Sequence, residues 1–296
     1  MKIITANGVR LAVYEWRAEL AGRQPTLVFV HATGFHGRCW DRVIEQLGDR
    51  HVLALDLRGH GRSEAAHFTS WQDFAVDLLQ LLQQLGVRRA FGIGHSMGGH
   101  SIVNAATRDA ALFSRLLLID PTVFSAAFYQ SFAGQQLAAE PSHFAARRRA
   151  EFASVEEVQQ RYRQRPPYSE FDHQVLADYC QYGVRQLAGQ EGVELACAPA
   201  FEARIYDAGG LAGSNILARL SAVDIPVTVV RAMQAPSLQA ARTDFRYSPT
   251  WPGLAGLFTQ GTDVFLPEET HFLPLEKPEL VAALIRNAET ALPDAG

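Results

Sequence analysis

Short apolar runs that alternate with helical patterns are the feature that most constrains the fold of this chain of 296 residues. Short apolar runs between turns are typical of strands buried on both faces, and their alternation with helices is typical of βαβ units. An Asn-Gly turn near the N-terminus adds an antiparallel hairpin. The sequence therefore predicts an α/β fold whose mostly parallel central sheet is flanked by helices. The strands predicted after the hairpin are residues 26–30, 51–55, 90–94, 116–119, 225–230 and 264–266.

The alternation stops in the middle of the chain. Residues 121–223 contain helical patterns and several Gly or Pro breakers, but no clear buried strand. Strand character returns after this segment. We therefore expect a core domain made of residues 1–120 and 224–296, with residues 121–223 as a helical insertion. The 48% of hydrophobic residues is enough for the large single core that a chain of this size can bury.

The charge of the chain argues against a nucleic-acid partner. The formal net charge is -4, and the lysines and arginines are scattered except at Arg147-Arg148-Arg149. Nucleic-acid binding needs a concentrated basic surface, and we interpret the triplet as a solvated helix face. The three cysteines show neither CxxC spacing nor an even count, so neither a disulfide scaffold nor a metal site is expected.

The chain shows no sequence signal for membrane insertion or export. The N-terminal segment lacks a long apolar stretch, and no segment reaches the roughly 18 consecutive apolar residues of a membrane-spanning helix. We therefore expect a soluble, cytoplasmic protein whose partner is a small molecule.

The hexapeptide Gly-His-Ser-Met-Gly-Gly at 94–99 carries the main functional signal. It lies between a predicted strand and a helical stretch. A Gly-x-Ser-x-Gly turn in this place holds its serine in a strained backbone conformation, and its glycines are needed because side chains there would collide with neighbouring elements. The motif therefore predicts Ser96 as an exposed nucleophile.

A serine nucleophile needs a base and a site for the oxyanion, and both should follow the carboxyl ends of strands. Histidine is the usual base because its pKa lies near neutral pH. His271 follows the last predicted strand, whereas the other histidines lie beside Ser96, in the insertion or earlier in the chain. The backbone N–H groups of Thr33, in the glycine-containing loop after strand 26–30, and of Met97, at the start of a helix, are the predicted oxyanion hole.

Together these motifs resemble the α/β-hydrolase fold superfamily over essentially the whole chain. The segment Asp-Leu-Arg-Gly-His-Gly-Arg-Ser at 56–63 is similar to the family's Asp-x-Arg-Gly-x-Gly-x-Ser loop, and we expect it to brace the site. His271 falls at the family's histidine position, and residues 121–223 are similar to the helical cap that many members place over the site. The resemblance thus implies an α/β-hydrolase core domain with a cap.

The acid that should orient His271 departs from the family pattern. Many members have an aspartate after the strand that corresponds to 225–230, whereas residues 231–237 contain no carboxylate. Some members take the acid from an earlier strand, which here ends at Asp120. We therefore predict Asp120 as the acid, although it also suits a cap or turn before Pro121. Asp244, Glu268, Glu269 or no acid at all are the alternatives.

The residue types favour acyl transfer by a Ser-His-Asp triad. The family's dehalogenases and epoxide hydrolases carry an aspartate at the elbow, whereas a serine favours an acyl-enzyme that water then hydrolyses. This chemistry needs no cofactor or metal. Aromatic residues near the predicted site suggest an apolar or aryl group in the substrate. They are Phe35, Trp40, Phe124, Phe128, Tyr168 and Phe171.

We therefore expect a carboxylesterase or a small-lipid lipase. A carbon–carbon bond hydrolase or a lactonase would use the same Ser96 and His271, so the sequence does not separate these activities. A ligand-binding protein with vestigial hydrolase activity is the alternative from a different class, and the carboxylate missing after strand 225–230 is its only support.

Overall fold

The computed structural model describes residues 1–237, 240 and 244–290. An eight-stranded sheet forms the centre of the fold, in the order β1-β2-β4-β3-β5-β6-β10-β11. Its first three strands pair antiparallel, and all later pairs are parallel. The strands, in chain order from β1 to β11, are Lys2–Ala6, Val9–Trp16, Leu27–Val30, Val52–Leu55, Ala90–His95, Phe113–Ile119, Glu151–Phe152, Val184–Gln186, Val193–Leu195, Val227–Arg231 and Gly261–Phe265.

Helices cover both faces of this sheet. The described α-helices, from α1 to α9, are Asp41–Ile44, Gln72–Gln84, Met97–Ala106, Ala126–Ser131, Val155–Tyr162, His173–Tyr182, Pro199–Ala208, Leu273–Glu276 and Pro278–Thr290. Strands β3, β4 and β5 are buried at every position, which explains their continuous apolar runs. The sheet therefore confirms the predicted mostly parallel α/β fold.

Two hydrophobic clusters hold the helices on the sheet. On one face, Phe74 and Leu78 of α2 pack with Ile102 of α3. On the other face, Trp40 packs with Ile285 of α9. Burying a single Leu, Ile or Phe side chain contributes roughly 1.5–3 kcal/mol, so these clusters supply the main stabilisation. They also fix the strand ends from which the functional residues project.

The segment 121–223 combines four helices, α4 to α7, with a small antiparallel sheet. That sheet has the order β7-β9-β8 and strands of only two or three residues. Phe152, Val184 and Val193 from these strands are buried. Strands this short leave no clear alternating pattern, so the sequence predicted helices alone in this segment.

Within the residues that the structure describes, no helix is long and apolar enough to cross a membrane. The same residues contain no cluster of three or more His, Cys, Asp or Glu side chains suited to a metal ion. Cys39, Cys180 and Cys197 are buried free thiols.

Candidate active site

Ser96 lies in the turn between β5 and α3, with φ 54° and ψ -120°. A non-glycine residue at positive φ is uncommon and costs of order 1–3 kcal/mol. The flanking glycines permit this turn: a Cβ at Gly98 would overlap the Val30 carbonyl oxygen, and one at Gly94 would lie 2.7 Å from the Gly98 oxygen. The close approach of three elements therefore requires the predicted Gly-x-Ser-x-Gly pattern.

His271 joins Ser96 to a carboxylate. Its Nε2 lies 3.1 Å from Ser96 Oγ, and its Nδ1 lies 2.6 Å from Asp120 Oδ2. Because an ionised carboxylate only accepts hydrogen bonds, Nδ1 carries the proton, and the lone pair of Nε2 faces the serine hydroxyl. The backbone is fixed as well: His271 N–H donates to the Arg246 carbonyl oxygen, and its own carbonyl accepts from His95 Nε2.

Asp120 stands at the end of β6, is 1% exposed and has φ 44°. Its Oδ1 accepts hydrogen bonds from Ser248 Oγ, from Thr250 Oγ1 at 3.1 Å and from the Ala232 backbone N–H at 3.2 Å. Burial by itself raises the pKa of Asp120. The hydrogen bond and charge of His271, with the donors on Oδ1, outweigh burial and hold the pKa below its ordinary value.

The alternative carboxylates are engaged elsewhere. Asp244 binds Arg246 at 2.7 Å, and Glu269 binds Lys277 at 2.7 Å. Glu268 is exposed. The loop after β10, where the family pattern would place the acid, contributes the Ala232 N–H donor instead of a carboxylate.

Thr33 and Met97 lie next to each other, and Thr33 Oγ1 donates a hydrogen bond to Met97 Sδ at 3.5 Å. Within the described part of the chain, neither backbone N–H has a hydrogen-bond acceptor. Met97 is also the first residue of α3, where the helix dipole favours negative charge. The next amide in the Thr33 loop, Gly34 N–H, donates to His60 Nε2 at 3.0 Å. Both predicted oxyanion donors are therefore available to a ligand.

The segment 56–63 braces the Thr33 loop. His60 accepts from Gly34 N–H, and the Asp56 carboxylate accepts from the backbone N–H groups of Gly37 and Arg62 at 2.7 Å each. On the other side, Leu57 N–H donates to His31 Nε2 at 2.9 Å. These contacts tie the loop after β3 to the loop after β4.

Three hydroxyl residues of this site have no sequence signature. Thr122 Oγ1 lies 2.9 Å from Ser96 Oγ, and Thr122 N–H donates to the Ser96 carbonyl oxygen. Ser248 and Thr250 donate to Asp120. Thr122 comes two residues after the predicted acid, and that proximity was the only signal that could have found it.

A cavity of about 440 Å³ opens next to Thr33, between the Thr33 loop and residues of the segment 121–223. Of the six predicted aromatic contacts, Phe35 and Tyr168 line it. Phe171 is buried behind Phe35, with ring centroids 6.1 Å apart.

The remaining aromatic predictions fall away from this cavity. Trp40 is 2% exposed and packs against Phe29 in the core under the sheet, with ring centroids 5.1 Å apart. Trp40 therefore does not line this cavity, because the short 3₁₀ helix Gly37–Trp40 that carries it points its ring inwards, and its predicted role as a substrate contact has no support in the structure. Phe124 and Phe128 stack on each other, with centroids 4.1 Å apart, outside the cavity lining.

The interpretation of the Arg147-Arg148-Arg149 triplet as a solvated helix face is wrong for Arg148. Its guanidinium forms an ion pair with the buried Glu202 and donates to the hydroxyls of Tyr162 and Tyr179 at 3.1 and 3.3 Å. Burial is the largest influence on Arg148 and lowers its pKa, but the surrounding tyrosines and Glu202 raise the pKa well above its ordinary value. Arg148 therefore remains charged inside the cavity wall.

The buried histidines around the site predict a marked acid sensitivity. Burial lowers the pKa of His36, His60 and His100 to about 4 and that of His95 to about 3. In the unfolded chain, a histidine has a pKa near 6.5. Between these values the unfolded state binds protons that the folded state does not, so stability falls as pH falls.

We expect the free energy of unfolding to change little from pH 8 to pH 7 and to fall steeply below pH 6. With four such histidines the slope approaches about 5 kcal/mol per pH unit. Guanidinium unfolding curves recorded at intervals from pH 8 to pH 5 measure it. A free energy of unfolding that stays constant down to pH 5 would contradict the burial of neutral histidines.

The comparisons with known proteins agree with this architecture. The family model described as the Alpha/beta hydrolase family matches residues 27–284. The chain is 36% identical over 118 residues to the uncharacterized hydrolase YugF of Bacillus subtilis (strain 168), covering 39% of this chain and 42% of that protein. It is 34% identical over 104 residues to esterase Rv0045c of Mycobacterium tuberculosis (strain ATCC 25618 / H37Rv), covering 34% of each. The chain thus covers less than half the length of these curated relatives.

Among solved structures, E-2-(acetamidomethylene)succinate hydrolase shares the fold, with a TM-score of 0.71 at 21% identity over 98% of both chains. Since the family match extends over most of the sequence, this chain belongs to the alpha/beta hydrolase family.

Proposed function

We propose that the protein is a serine hydrolase that cleaves a small carboxylic ester through an acyl-enzyme, with Ser96, His271 and Asp120 as its catalytic triad. The observation that carries this proposal is the hydrogen-bonded chain from Ser96 Oγ through His271 to Asp120, at 3.1 and 2.6 Å. These separations suit a nucleophile, a general base and an orienting acid. The esterase among the relatives supports the same reaction class.

In the proposed reaction, Ser96 Oγ attacks the ester carbonyl while His271 Nε2 accepts its proton. Asp120 keeps the Nδ1 proton in place and stabilises the imidazolium that forms. The N–H groups of Thr33 and Met97 stabilise the oxyanion of the tetrahedral intermediate. His271 then donates its proton to the leaving alcohol, and a water activated by His271 hydrolyses the acyl-enzyme. The alcohol, the acid and the free enzyme result.

We further propose that residues 121–223 act as a cap over this site. Tyr162, Tyr168 and Glu202 from this segment line the same cavity as Thr33. Aromatic rings on the cavity wall support an apolar or aryl part in the substrate.

A lactonase or a carbon–carbon bond hydrolase remains a second candidate because both would use the same Ser96, His271 and oxyanion donors. A ligand-binding protein with vestigial turnover has less support. The hypothesis of a binding protein was based on the missing carboxylate after strand 225–230. Asp120, which directly follows β6, lies 2.6 Å from His271 and can serve as the orienting acid instead.

A substrate panel tests the proposal. We expect 4-nitrophenyl esters of short acids to be hydrolysed with a burst of about one 4-nitrophenol per chain when deacylation is slow, and lactones and aryl diketones to be poorer substrates. Stopped-flow absorbance measures the burst. Faster turnover of a lactone or diketone than of any ester would replace the esterase assignment by the second candidate. Tight binding of these compounds without turnover would favour the ligand-binding protein.

A further inference from the structure

The cavity next to Thr33 is strongly cationic. Five arginines line it, and Glu202 is the one carboxylate among the described lining residues. The chain as a whole carries a formal net charge of -4, so the charge of the cavity lining is opposite in sign to that of the whole chain. Clefts lined by one sign of charge concentrate ligands of the opposite sign. The five arginines are Arg147, Arg148, Arg149, Arg161 and Arg165.

Arg148 and Glu202 lie against the Thr33 loop as an ion pair. A Cβ at Gly34 would lie 2.8 Å from Glu202 Oε1 and 3.7 Å from Arg148 Nη1. Gly34 directly follows Thr33, the proposed oxyanion donor. The charged wall of the cavity therefore reaches the residue next to the proposed oxyanion donor.

Arg148 retains hydrogen-bonding capacity. A guanidinium has five N–H donors, and three of them reach Glu202, Tyr162 and Tyr179. These partners also fix the orientation of its plane. A preorganised guanidinium of this kind suits a carboxylate, whose two oxygens match neighbouring N–H groups.

The other four cavity arginines differ in whether a salt bridge neutralises them. Arg149 forms a salt bridge with Glu157 at 2.6 Å. By contrast, Arg147, Arg161 and Arg165 form no salt bridge with any residue that the structure describes. Unpaired guanidinium groups on a partly enclosed wall favour an anionic ligand over a neutral one of the same shape.

We propose that the substrate carries an anionic group, of which a carboxylate is the simplest, and that the cavity arginines bind it while Ser96 attacks the acyl carbonyl. This inference rests on the proposed function. A half-ester of a short dicarboxylic acid represents the substrate class. The inference adds charge recognition to the apolar or aryl contacts expected from the aromatic residues.

Two esters that differ in the charge of one end and in a single methyl group test the proposal: 4-nitrophenyl hydrogen glutarate and 4-nitrophenyl methyl glutarate. We expect kcat/KM for the acid to exceed that for the methyl ester by about tenfold at low salt, as for a hydrogen bond to a charged group. Added NaCl should reduce this ratio because it screens the partly exposed arginines. Initial rates, corrected for spontaneous hydrolysis, measure the ratio.

Single substitutions show which arginines bind the anionic group. Arg161→Gln and Arg165→Gln should each reduce the ratio severalfold. Arg163→Gln is the matched control, since Arg163 is exposed on the same segment and does not line the cavity, and it should keep the wild-type ratio. A wild-type ratio of one or less, or an equal loss in Arg163→Gln, would overturn the proposal.

Calorimetric titration of Ser96→Ala with the same two esters separates this inference from the proposed function. Tighter binding of the acid than of the methyl ester, without turnover of either by the wild type, would retain the anion site and remove the hydrolase assignment. Turnover of both esters without preference for the acid would remove the anion site and retain the hydrolase. Equal binding of both esters would also count against the anion site.

Discussion

Replacing Ser96 by alanine should lower kcat for ester hydrolysis by about 10⁴- to 10⁶-fold. The substitution removes the nucleophile, while His271, Thr33 and Met97 remain in place, so only the catalysis that comes from binding and oxyanion stabilisation persists. Steady-state rates with a 4-nitrophenyl ester measure the loss.

Ser131→Ala provides the control for this variant because Ser131 is an exposed serine on α4. It should retain the wild-type rate. Circular dichroism should show that Ser96→Ala is folded, since only Oγ is removed from the turn. A folded Ser96→Ala protein with a rate within tenfold of the wild type would mean that another residue is the nucleophile.

Replacing Asp120 by asparagine should lower kcat by about 10⁴-fold with little change in the fold. The introduced asparagine would keep its carbonyl oxygen toward the donors Ser248 and Thr250, which leaves its NH₂ group facing His271 Nδ1. His271 must then accept at Nδ1 and carry its proton on Nε2. In that tautomer it cannot take the proton of Ser96. The pH dependence of kcat and the thermal unfolding temperature measure the two effects.

Asp244→Asn is the matched control because Asp244 was the second candidate for the acid and pairs with Arg246 instead. It should leave kcat within about twofold of the wild type, since an exposed salt bridge contributes little. If Asp244→Asn lost activity while Asp120→Asn kept it, the assignment of the acid would be reversed.

The sheet and the elbow could be predicted because their physical requirements leave a trace in the sequence. Strands buried on both faces must be continuously apolar, as in 27–30 and 52–55. The close contact of Gly98 with the Val30 carbonyl oxygen excludes every residue but glycine. The requirement that the base follow the last strand then selected His271 from the ten histidines of the chain.

The hydroxyl groups around Ser96, His271 and Asp120 left no such trace. Their contacts join parts of the chain that are distant in sequence: Thr122 contacts Ser96, and Asp120 accepts hydrogen bonds from Ser248 and Thr250. Serine and threonine are also common in turns, where their presence needs no functional reason. The position of Asp120 directly after β6 could be predicted from its place after a strand, but its three Oδ1 donors could not.

The placement of charged and aromatic side chains around the cavity was the least predictable feature from sequence. Arg148 belongs to a basic triplet, and such clusters usually lie on solvated surfaces. It is half-buried here because Glu202, which is 54 residues away, faces it. Trp40 comes soon after the Thr33 loop in the sequence, yet its ring packs under the sheet against Phe29. Which face of a short helix points inwards depends on tertiary packing, and four residues give too little periodicity to indicate it.

The measurement that tests the central proposal most directly is labelling with a fluorophosphonate, which reacts with an activated serine. Intact-protein mass spectrometry should show one adduct per folded chain, and peptide mapping should place it on Ser96. Labelling should be absent in Ser96→Ala and much slower in Asp120→Asn, since His271 then lacks the tautomer that activates the serine. No adduct on the folded wild-type protein, or an adduct on a different serine, would contradict the proposal.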